Sequence, residues 1–288
     1  MNASFPLLLV INGFASVGLS VINKSIAMSI DAPFSVVGIQ NLCAVICTLI
    51  LVYFKPDLIR PLRLHHIKYI APITALFVLA LWTSLLSLKY VPLPVYAIAG
   101  YTRPICSCVF EFLLSGTTLK RDRLVGLFLI IGGSVVASGT LGPSELSGFL
   151  LALVNTVIVS LLSVVENRTM KKIGHQQTPM GVNLCRLILS LPVLAVLAHL
   201  TNESVNPSRL DSNSQTLLVL SGIICLFSGI VMYALQAIST STTLLVANAG
   251  YKFVTSVASV FVHAYSPPLR VIIGYVLSAG GFVAYSLA

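Results

Sequence analysis

Charged residues are scarce in this sequence. Only 9% of its 288 residues are Asp, Glu, Lys or Arg, whereas 57% are hydrophobic. Soluble domains carry about 25% charged residues, so this chain has too few to solvate a surface of its own. The scarcity excludes a soluble protein. It predicts one integral membrane domain over residues 1–288, with the lipid bilayer as a partner and no soluble appendage.

Residues suited to catalysis or metal binding form no useful pattern either. The six cysteines all fall inside apolar segments, and the five histidines are scattered without an acid or a cysteine at catalytic or metal-binding spacing. We therefore expect no disulfide framework, no metal, no cofactor, no catalytic residue and no enzyme activity. The first apolar stretch lacks the charged n-region of a signal peptide, so we expect it to stay as a membrane span.

Long apolar runs recur along the whole chain, and each can cross about 30 Å of hydrocarbon as a helix. Charges, prolines or small polar residues separate these runs. The pattern predicts an all-α integral membrane protein with ten transmembrane helices. They are expected at residues 5–28, 33–54, 69–88, 94–114, 124–138, 148–165, 179–200, 216–233, 242–262 and 271–286.

The positive charges between these spans indicate the orientation of the chain. Ten Lys and Arg residues lie in the loops on one side of the membrane and four on the other. The richer side and both termini are therefore expected in the cytosol. The sequon at Asn202 then faces the lumen or the exterior, where glycosylation takes place. Because the net charge of +9 reports this topology, we expect no nucleic-acid partner.

The two halves of the chain resemble each other. Three sets of matching positions occur in the same order in both: Asn12 with Asn155, 99–101 with 249–251, and 132–133 with 280–281. They predict a 5+5 inverted repeat of residues 1–140 and 141–288, with a pseudo-two-fold axis in the membrane plane and a site between two similar faces. The glycines in these pairs permit close helix packing and a homodimer.

Three cations lie in the middle of predicted spans, where a Lys or Arg costs at least about 2.5 kcal/mol. They are Arg103, Arg186 and Lys252. Lys24 lies nearer to the end of its span and can extend towards the surface. Intramembrane acids are fewer, so the interior carries an excess of positive charge suited to an anionic solute. An internal ion pair or a backbone-capping role remains the structural alternative for each cation.

Tyrosines accompany these cations in both halves. Tyr251 adjoins Lys252, with Asn248 one turn earlier, and Tyr101 stands beside Arg103. One tyrosine–cation pair in each half is a hypothesis for gripping a phosphate or diphosphate and stacking on a ring.

The residues around Lys252 resemble those of a known family. The chain has Asn-Ala-Gly-Tyr-Lys at 248–252, where GDP-sugar members of that family carry Gly-Ala-Leu-Asn-Lys. Asn23-Lys24 ends the first span and Pro-Val-Tyr at 94–96 opens the fourth, as in the same family. The chain thus resembles the nucleotide-sugar transporters of the drug/metabolite transporter superfamily, and GDP-mannose-type carriers in particular.

Two departures from that family bear on specificity. GDP-mannose carriers have a lysine where this chain has Gly100, and the cation here is Arg103, one turn later. GDP-sugar members read guanine with Phe-Tyr-Asn-Asn in the seventh span, where this chain has Leu-Cys-Arg-Leu at 184–187. Both asparagines are absent, so guanine specificity does not follow, whereas the arginine adds to anion binding.

The resemblance implies a function for the chain. An exchanger in the Golgi apparatus or endoplasmic reticulum would import a cytosolic nucleotide sugar and export a nucleoside monophosphate by alternating access. A GDP-sugar such as GDP-mannose is the first expectation for the cargo, and a UDP-sugar the second. The family's lysine contacts the sugar nucleotide, and that role falls to Lys252. The candidate substrate-binding residues are Asn23, Lys24, Tyr96, Tyr101, Arg103, Arg186, Asn248, Gly250, Tyr251 and Lys252.

Two alternatives stay open on the sequence. A triose-phosphate or phosphoenolpyruvate carrier shares the fold and an electropositive site, although we expect no transit peptide of the kind usual in such plastid proteins. A membrane enzyme is the remote alternative. The base, the sugar and the oligomeric state are not determined at this point.

Overall fold

The computed structural model describes residues 4–60, 64–115, 123–138, 142–203, 211–262 and 266–287. These residues form eleven α-helices and one short 3-10 helix, Pro56–Leu58, and contain no strand. All ten predicted spans lie in helical segments, and the fourth is divided between two helices. The helices are α1 (Ser4–Ser29), α2 (Pro33–Phe54), α3 (Leu64–Tyr90), α4 (Leu93–Gly100), α5 (Arg103–Ser115), α6 (Arg123–Ser138), α7 (Pro143–Ile173), α8 (Pro179–Leu200), α9 (Ser212–Ile238), α10 (Ser241–Val262) and α11 (Leu269–Leu287).

Several of these helices are suited to crossing a membrane. Among the described residues, seven helical stretches are long and apolar enough to do so, with α4 and α5 taken together as one stretch. Large apolar side chains are exposed along them, such as Phe14 at 78% and Leu113 at 69%. Exposure of this kind is typical of helices that face lipid. The prediction of an all-helical, multi-pass membrane protein is confirmed, and the number of ten spans stays a prediction.

The fourth predicted span is not one continuous helix. α4 ends at Gly100 and α5 begins at Arg103, with a two-residue turn between them. Pro104 explains the interruption, because it has no N–H to donate and its ring would clash with the carbonyl of Gly100 in a continuous helix. The prediction of an uninterrupted helix over residues 94–114 is therefore corrected.

The chain forms two compact units. Unit 1 contains Met1–Trp82 and Val165–Ser239, and unit 2 contains Thr83–Val164 and Thr240–Ala288. Each unit thus takes segments from both halves of the sequence, and α3 and α7 contribute to both units. The predicted five-helix repeats divide the chain differently and stay a prediction.

In unit 1, α2 packs against α8 and α9, and α1 packs against α9. Gly222 of α9 allows close approach, since a Cβ there would lie 2.6 Å from the Cβ of Cys43 on α2. Gln40 of α2 ties the helices together, because its Nε2 donates to Asn23 Oδ1 on α1 and to Ser221 Oγ on α9, each at 2.9 Å. These hydrogen bonds satisfy polar groups that lipid cannot solvate.

The start of α2 is held by a carboxylate from the segment that follows α8. Glu203 accepts hydrogen bonds from the N–H groups of Phe34 at 3.3 Å and Ser35 at 2.8 Å. The first N–H groups of a helix have no partner within it and favour a negative charge, so this contact stabilises α2. The neighbouring Asn202 of the predicted sequon is exposed and adopts a left-handed conformation, with φ of 53°.

In unit 2, α6 and α11 pack with their backbones in contact. A Cβ on Gly133 of α6 would lie 2.5 Å from a carbonyl oxygen of α11, and one on Gly281 of α11 would lie 2.7 Å from the carbonyl oxygen of Gly126. The adjacent Gly132 and Gly280 are exposed, and a Cβ on either would meet nothing within 4 Å. One glycine of each sequence pair therefore makes the helix contact, and the other does not.

Adjacent glycines provide a matched test of this packing. We predict that Gly133→Ala and Gly281→Ala each lower the melting temperature, because the added methyl overpacks the contact at a cost of about 1–3 kcal/mol. Gly132→Ala and Gly280→Ala should leave it unchanged or raise it, since alanine favours a helix by up to about 1 kcal/mol over glycine. Thermal unfolding of the purified protein in detergent measures all four. Equal melting temperatures within each pair would contradict the close contact.

Candidate functional site

Backbone carbonyls beside the break between α4 and α5 accept hydrogen bonds from hydroxyl groups of unit 2. The carbonyl of Ala99 accepts from Thr102 Oγ1 at 2.8 Å and from Thr156 Oγ1 of α7 at 3.1 Å. The carbonyl of Arg103 accepts from Ser160 Oγ of α7 at 3.0 Å. Interrupted helices are tolerated within a membrane where neighbouring groups bond the freed backbone. Here α7 supplies most of those groups.

Arg103 begins α5, and its guanidinium is held by side chains of α4 and α7. Its Nη2 donates to Tyr96 Oη at 3.1 Å and to Asn155 Oδ1 at 3.0 Å. The Tyr96 hydroxyl donates to the same Asn155 oxygen at 3.1 Å, and Asn155 Nδ2 donates to Thr83 Oγ1 at 2.9 Å. All four residues are buried, and Asn155 is 0% exposed. This closed triangle fixes the position of the guanidinium.

The remaining donors of Arg103 are not used by the described residues. Only Nη2 makes hydrogen bonds there, and the buried Nε has no partner. No carboxylate of the described residues forms an ion pair with this arginine, which is 9% exposed. A buried charge is stable only when it is paired and hydrogen-bonded. The site is therefore suited to an anion that comes from outside the chain.

Lys252 of α10 brings a second cation to the same tyrosine. Its Nζ lies 4.9 Å from the centroid of the Tyr96 ring, and Arg103 Cζ lies 5.9 Å from that centroid. The lysine is 6% exposed. Its alkyl chain packs against Gly100, where a Cβ would lie 3.7 Å from Lys252 Cγ. Because the ring face attracts both cations, Tyr96 lets two like charges share one buried site.

Arg186 lies in unit 1 and has a carboxylate partner. Its Nη1 bonds to Glu166 Oε1 at 3.1 Å, and its Nη2 donates to Asn183 Oδ1 at 2.7 Å. The guanidinium also lies 3.8 Å from the ring centroid of Phe77 and 5.1 Å from that of Tyr233. The internal ion pair, left open by the sequence, is what the structure shows. Arg186 is neutralised in this arrangement, unlike Arg103.

The other predicted site residues have a range of surroundings. Tyr101 packs in an apolar cluster with Ile130 and Ala249, and its ring centroid lies 5.8 Å from that of Tyr275. Asn23 accepts a hydrogen bond from Gln40, and Lys24 is partly buried on α1. Asn248 and Tyr251 are partly buried on α10, and Gly250 is exposed. Tyr101 thus has a packing role, and the substrate contacts of these residues stay predictions.

Sequence reasoning missed the polar residues of α7 that complete the site. Asn155 was noted only as a repeat match to Asn12, and Thr156 and Ser160 not at all. A signal was available, because Asn155, Thr156 and Ser160 fall within one and a half turns of an otherwise apolar span. Polar residues clustered in this way inside a membrane helix mark groups that need partners.

A family model matches this chain over residues 5–286, and it describes the Triose-phosphate Transporter family. The match covers nearly the whole chain. The family name and those of the relatives below are the names of transporters, not of enzymes.

Curated relatives are similar at low identity. A "GDP-mannose transporter" of Candida glabrata is 30% identical over 51% of this chain and 45% of its own length. A "Probable sugar phosphate/phosphate translocator" of Arabidopsis thaliana is 24% identical over 76% of this chain and 62% of its own. "UDP-URONIC ACID TRANSPORTER 1" of the same plant is 22% identical over 96% and 93%. The chain thus spans less than two thirds of the first two proteins.

One solved crystal structure is similar to this chain with a TM-score of 0.68 and 18% sequence identity. The similarity covers 98% of this chain and 97% of the solved one, and it shows a shared fold. The fold agrees with the family match, which extends over almost every residue that the structure describes. The chain therefore belongs to the Triose-phosphate Transporter family.

Proposed function

We propose that the chain exchanges a cytosolic nucleotide sugar for a lumenal nucleoside monophosphate across the membrane of the Golgi apparatus or the endoplasmic reticulum. The proposal includes ten transmembrane helices in a 5+5 inverted repeat, with both termini in the cytosol. A homodimer is compatible with it and is not required for it.

The observation that carries this proposal is the environment of Arg103. Its guanidinium is buried, fixed by Tyr96 and Asn155, and without a carboxylate among the described residues. Lys252 places a second buried cation on the same ring. Placing a Lys or Arg in a membrane costs at least about 2.5 kcal/mol each on the most lenient scale. A solute that carries phosphate would offset that cost each time it binds.

Phosphate is the group that the two exchanged solutes share. Its oxygens can accept hydrogen bonds from Nε and Nη1 of Arg103, the donors not used within the described residues. Lys252 would add a second charge-assisted contact. Both solutes need the same cations, so they compete for one site. Exchange follows when one solute binds on the cytosolic side and the other on the lumenal side, and each is released on the opposite side. No covalent chemistry is required.

The nucleotide part of the cargo is proposed from the relatives. GDP-mannose is the first candidate, because a GDP-mannose transporter is among the similar proteins. UDP-sugars are the second, because the UDP-uronic acid transporter matches 96% of the chain. Arg186 stands in the segment where GDP-sugar members of the resembled family carry the asparagines that read guanine, and it is engaged with Glu166 and Asn183. The base is therefore best decided by testing both nucleotides.

Exchange of a sugar phosphate for inorganic phosphate is the second candidate function. The family description and the translocator of Arabidopsis thaliana favour it. The same two cations would bind the phosphate of a sugar phosphate, since nothing about Arg103 or Lys252 requires a base. The two functions differ in the solute that must be present inside a vesicle for uptake to occur.

We predict that uptake into liposomes requires a matching internal anion. Purified protein is reconstituted in vesicles loaded with GMP, UMP or inorganic phosphate, and uptake of labelled GDP-mannose, a UDP-sugar and a triose phosphate is measured. Uptake of one nucleotide sugar driven by its own monophosphate is expected. If only internal inorganic phosphate drives uptake, the protein exchanges sugar phosphates and not nucleotide sugars. No exchange of any anion by folded protein would contradict the transport proposal itself.

Removing either cation should impair this exchange. We predict that Arg103→Gln and Lys252→Gln each raise the KM for the transported anion at least about tenfold, because each loses a charge-assisted hydrogen bond of about 1.5–3 kcal/mol. Arg270→Gln is the matched control, since Arg270 is exposed at the start of α11. Initial uptake rates over a range of substrate concentrations measure the effect. An unchanged KM in both variants would contradict the assignment of the site.

Arg186 should behave differently from Arg103. We predict that Glu166→Gln lowers stability by about 3–5 kcal/mol, because it leaves the buried Arg186 without its counter-charge. Replacing both residues, in Glu166→Gln/Arg186→Met, should restore much of the melting temperature. The KM of this double variant should stay within a few-fold of that of the unaltered protein. Thermal unfolding and uptake kinetics test both statements. A large rise in KM in the stable double variant would show that Arg186 binds the solute.

A further inference from the structure

Two lysines from different helices of unit 1 converge on one tyrosine. Lys68 and Tyr69 lie near the start of α3, and Lys172 lies in the last turn of α7. The Nζ atoms of Lys68 and Lys172 lie 5.1 and 5.8 Å from the centroid of the Tyr69 ring. We call these three residues the Tyr69 platform. Both lysines are exposed and form no ion pair with the described residues.

The ring of Tyr69 packs against buried apolar residues. It is partly buried and packs against an apolar cluster that includes Ile70 of α3, Ile173 of α7 and Val182 of α8. An aromatic ring with an apolar body and a polar end is suited to the boundary between hydrocarbon and headgroups. The packed ring therefore gives both lysines one common surface rather than leaving them as independent surface lysines.

Hydrogen bonds also connect the segments beside the platform. His66 hydrogen-bonds to Gln176 at 3.0 Å and to Gln177 at 3.3 Å, which ties α3 to the turn after α7. Thr178 Oγ1 donates to the carbonyl of Leu58 at 2.7 Å, which ties the 3-10 helix to the same turn. These contacts hold the ends of several elements together beside the platform.

This end of unit 1 carries a strong excess of positive charge. The described residues 55–60, 64–69 and 168–178 contain six Lys and Arg residues and one acid, Asp57. The hydroxyl of Tyr69 and the two ammonium groups offer hydrogen-bond donors, and tyrosines of this kind are common where a membrane meets water. Anionic headgroups gain about 1 kcal/mol for each nearby Lys or Arg, so the pair can select such a lipid.

We propose that the Tyr69 platform binds the phosphate-bearing headgroup of an anionic glycerophospholipid in the adjoining leaflet. The two lysines provide the charge, and Tyr69 positions them. The proposal does not depend on the transported solute, because it concerns the membrane edge of unit 1, whereas the proposed cargo site is built on Arg103 and Lys252 in unit 2.

Native mass spectrometry of the full chain in a neutral detergent tests this proposal. Dioleoylphosphatidylserine and dioleoylphosphatidylcholine, which share acyl chains, are titrated separately. We expect phosphatidylserine to bind about thirtyfold more tightly, from two lysines at about 1 kcal/mol each. Lys68→Gln/Lys172→Gln should abolish that preference, and Lys68→Arg/Lys172→Arg should retain it.

Lys89→Gln/Arg270→Gln is the matched control. It removes two cations from the opposite predicted side of the membrane, and Lys89 also lies over a tyrosine, Tyr90, at 5.6 Å. The control should keep the preference for phosphatidylserine. If the control variant also loses the preference for phosphatidylserine, net charge alone explains that preference, and the proposal is wrong.

Other results would also overturn it. They are equal binding of the two lipids by the unaltered protein, a preference that survives Lys68→Gln/Lys172→Gln, and a preference lost in the arginine pair. Full displacement of phosphatidylserine by inorganic phosphate would assign the platform to a soluble anion instead. Anion exchange in phosphatidylcholine vesicles, measured on the same glutamine variant, should persist, which separates this outcome from a failure of the proposed transport.

Discussion

A positive charge inside a membrane needs a negative partner, because hydrocarbon cannot solvate it. Two buried arginines of this protein differ in this respect. Arg186 has Glu166 at 3.1 Å and lies against the ring of Phe77. Arg103 has no carboxylate among the described residues and is held by neutral oxygens of Tyr96 and Asn155. The first arrangement is complete within the chain, whereas the second is suited to an anion from outside it.

The surrounding fold makes the position of Arg103 possible. Pro104 interrupts the helix, so the arginine begins a new helix within unit 2, and hydroxyls of α7 satisfy the carbonyls at the interruption. Gly100 leaves room for the alkyl chain of Lys252 at the end of α4. One short segment therefore sets the backbone, the aromatic ring and the first cation of the site, and α7 and α10 supply the rest.

The sequence predicted the helices well because long apolar runs with polar ends leave few alternatives in lipid. Two spans, 33–54 and 179–200, agree with the structure at both ends. The break at Pro104 was predictable from the proline alone, yet the apolar run on both sides favoured one helix. The site was harder to predict. Lys252, Arg103 and Tyr96 are brought together, but Tyr101 packs elsewhere, and adjacency in sequence did not show which way its ring turns. Asn155 was missed because its partners are distant in sequence.

Binding of a nucleoside monophosphate and of its parent nucleoside, compared by calorimetry, tests the central claim that Arg103 and Lys252 bind phosphate. The unaltered protein should bind the monophosphate at least about a hundredfold more tightly than the nucleoside, since two charge-assisted contacts depend on the phosphate. In Arg103→Gln/Lys252→Gln that difference should disappear while the weak nucleoside affinity remains. A hundredfold preference that persists in the folded double variant would contradict the account.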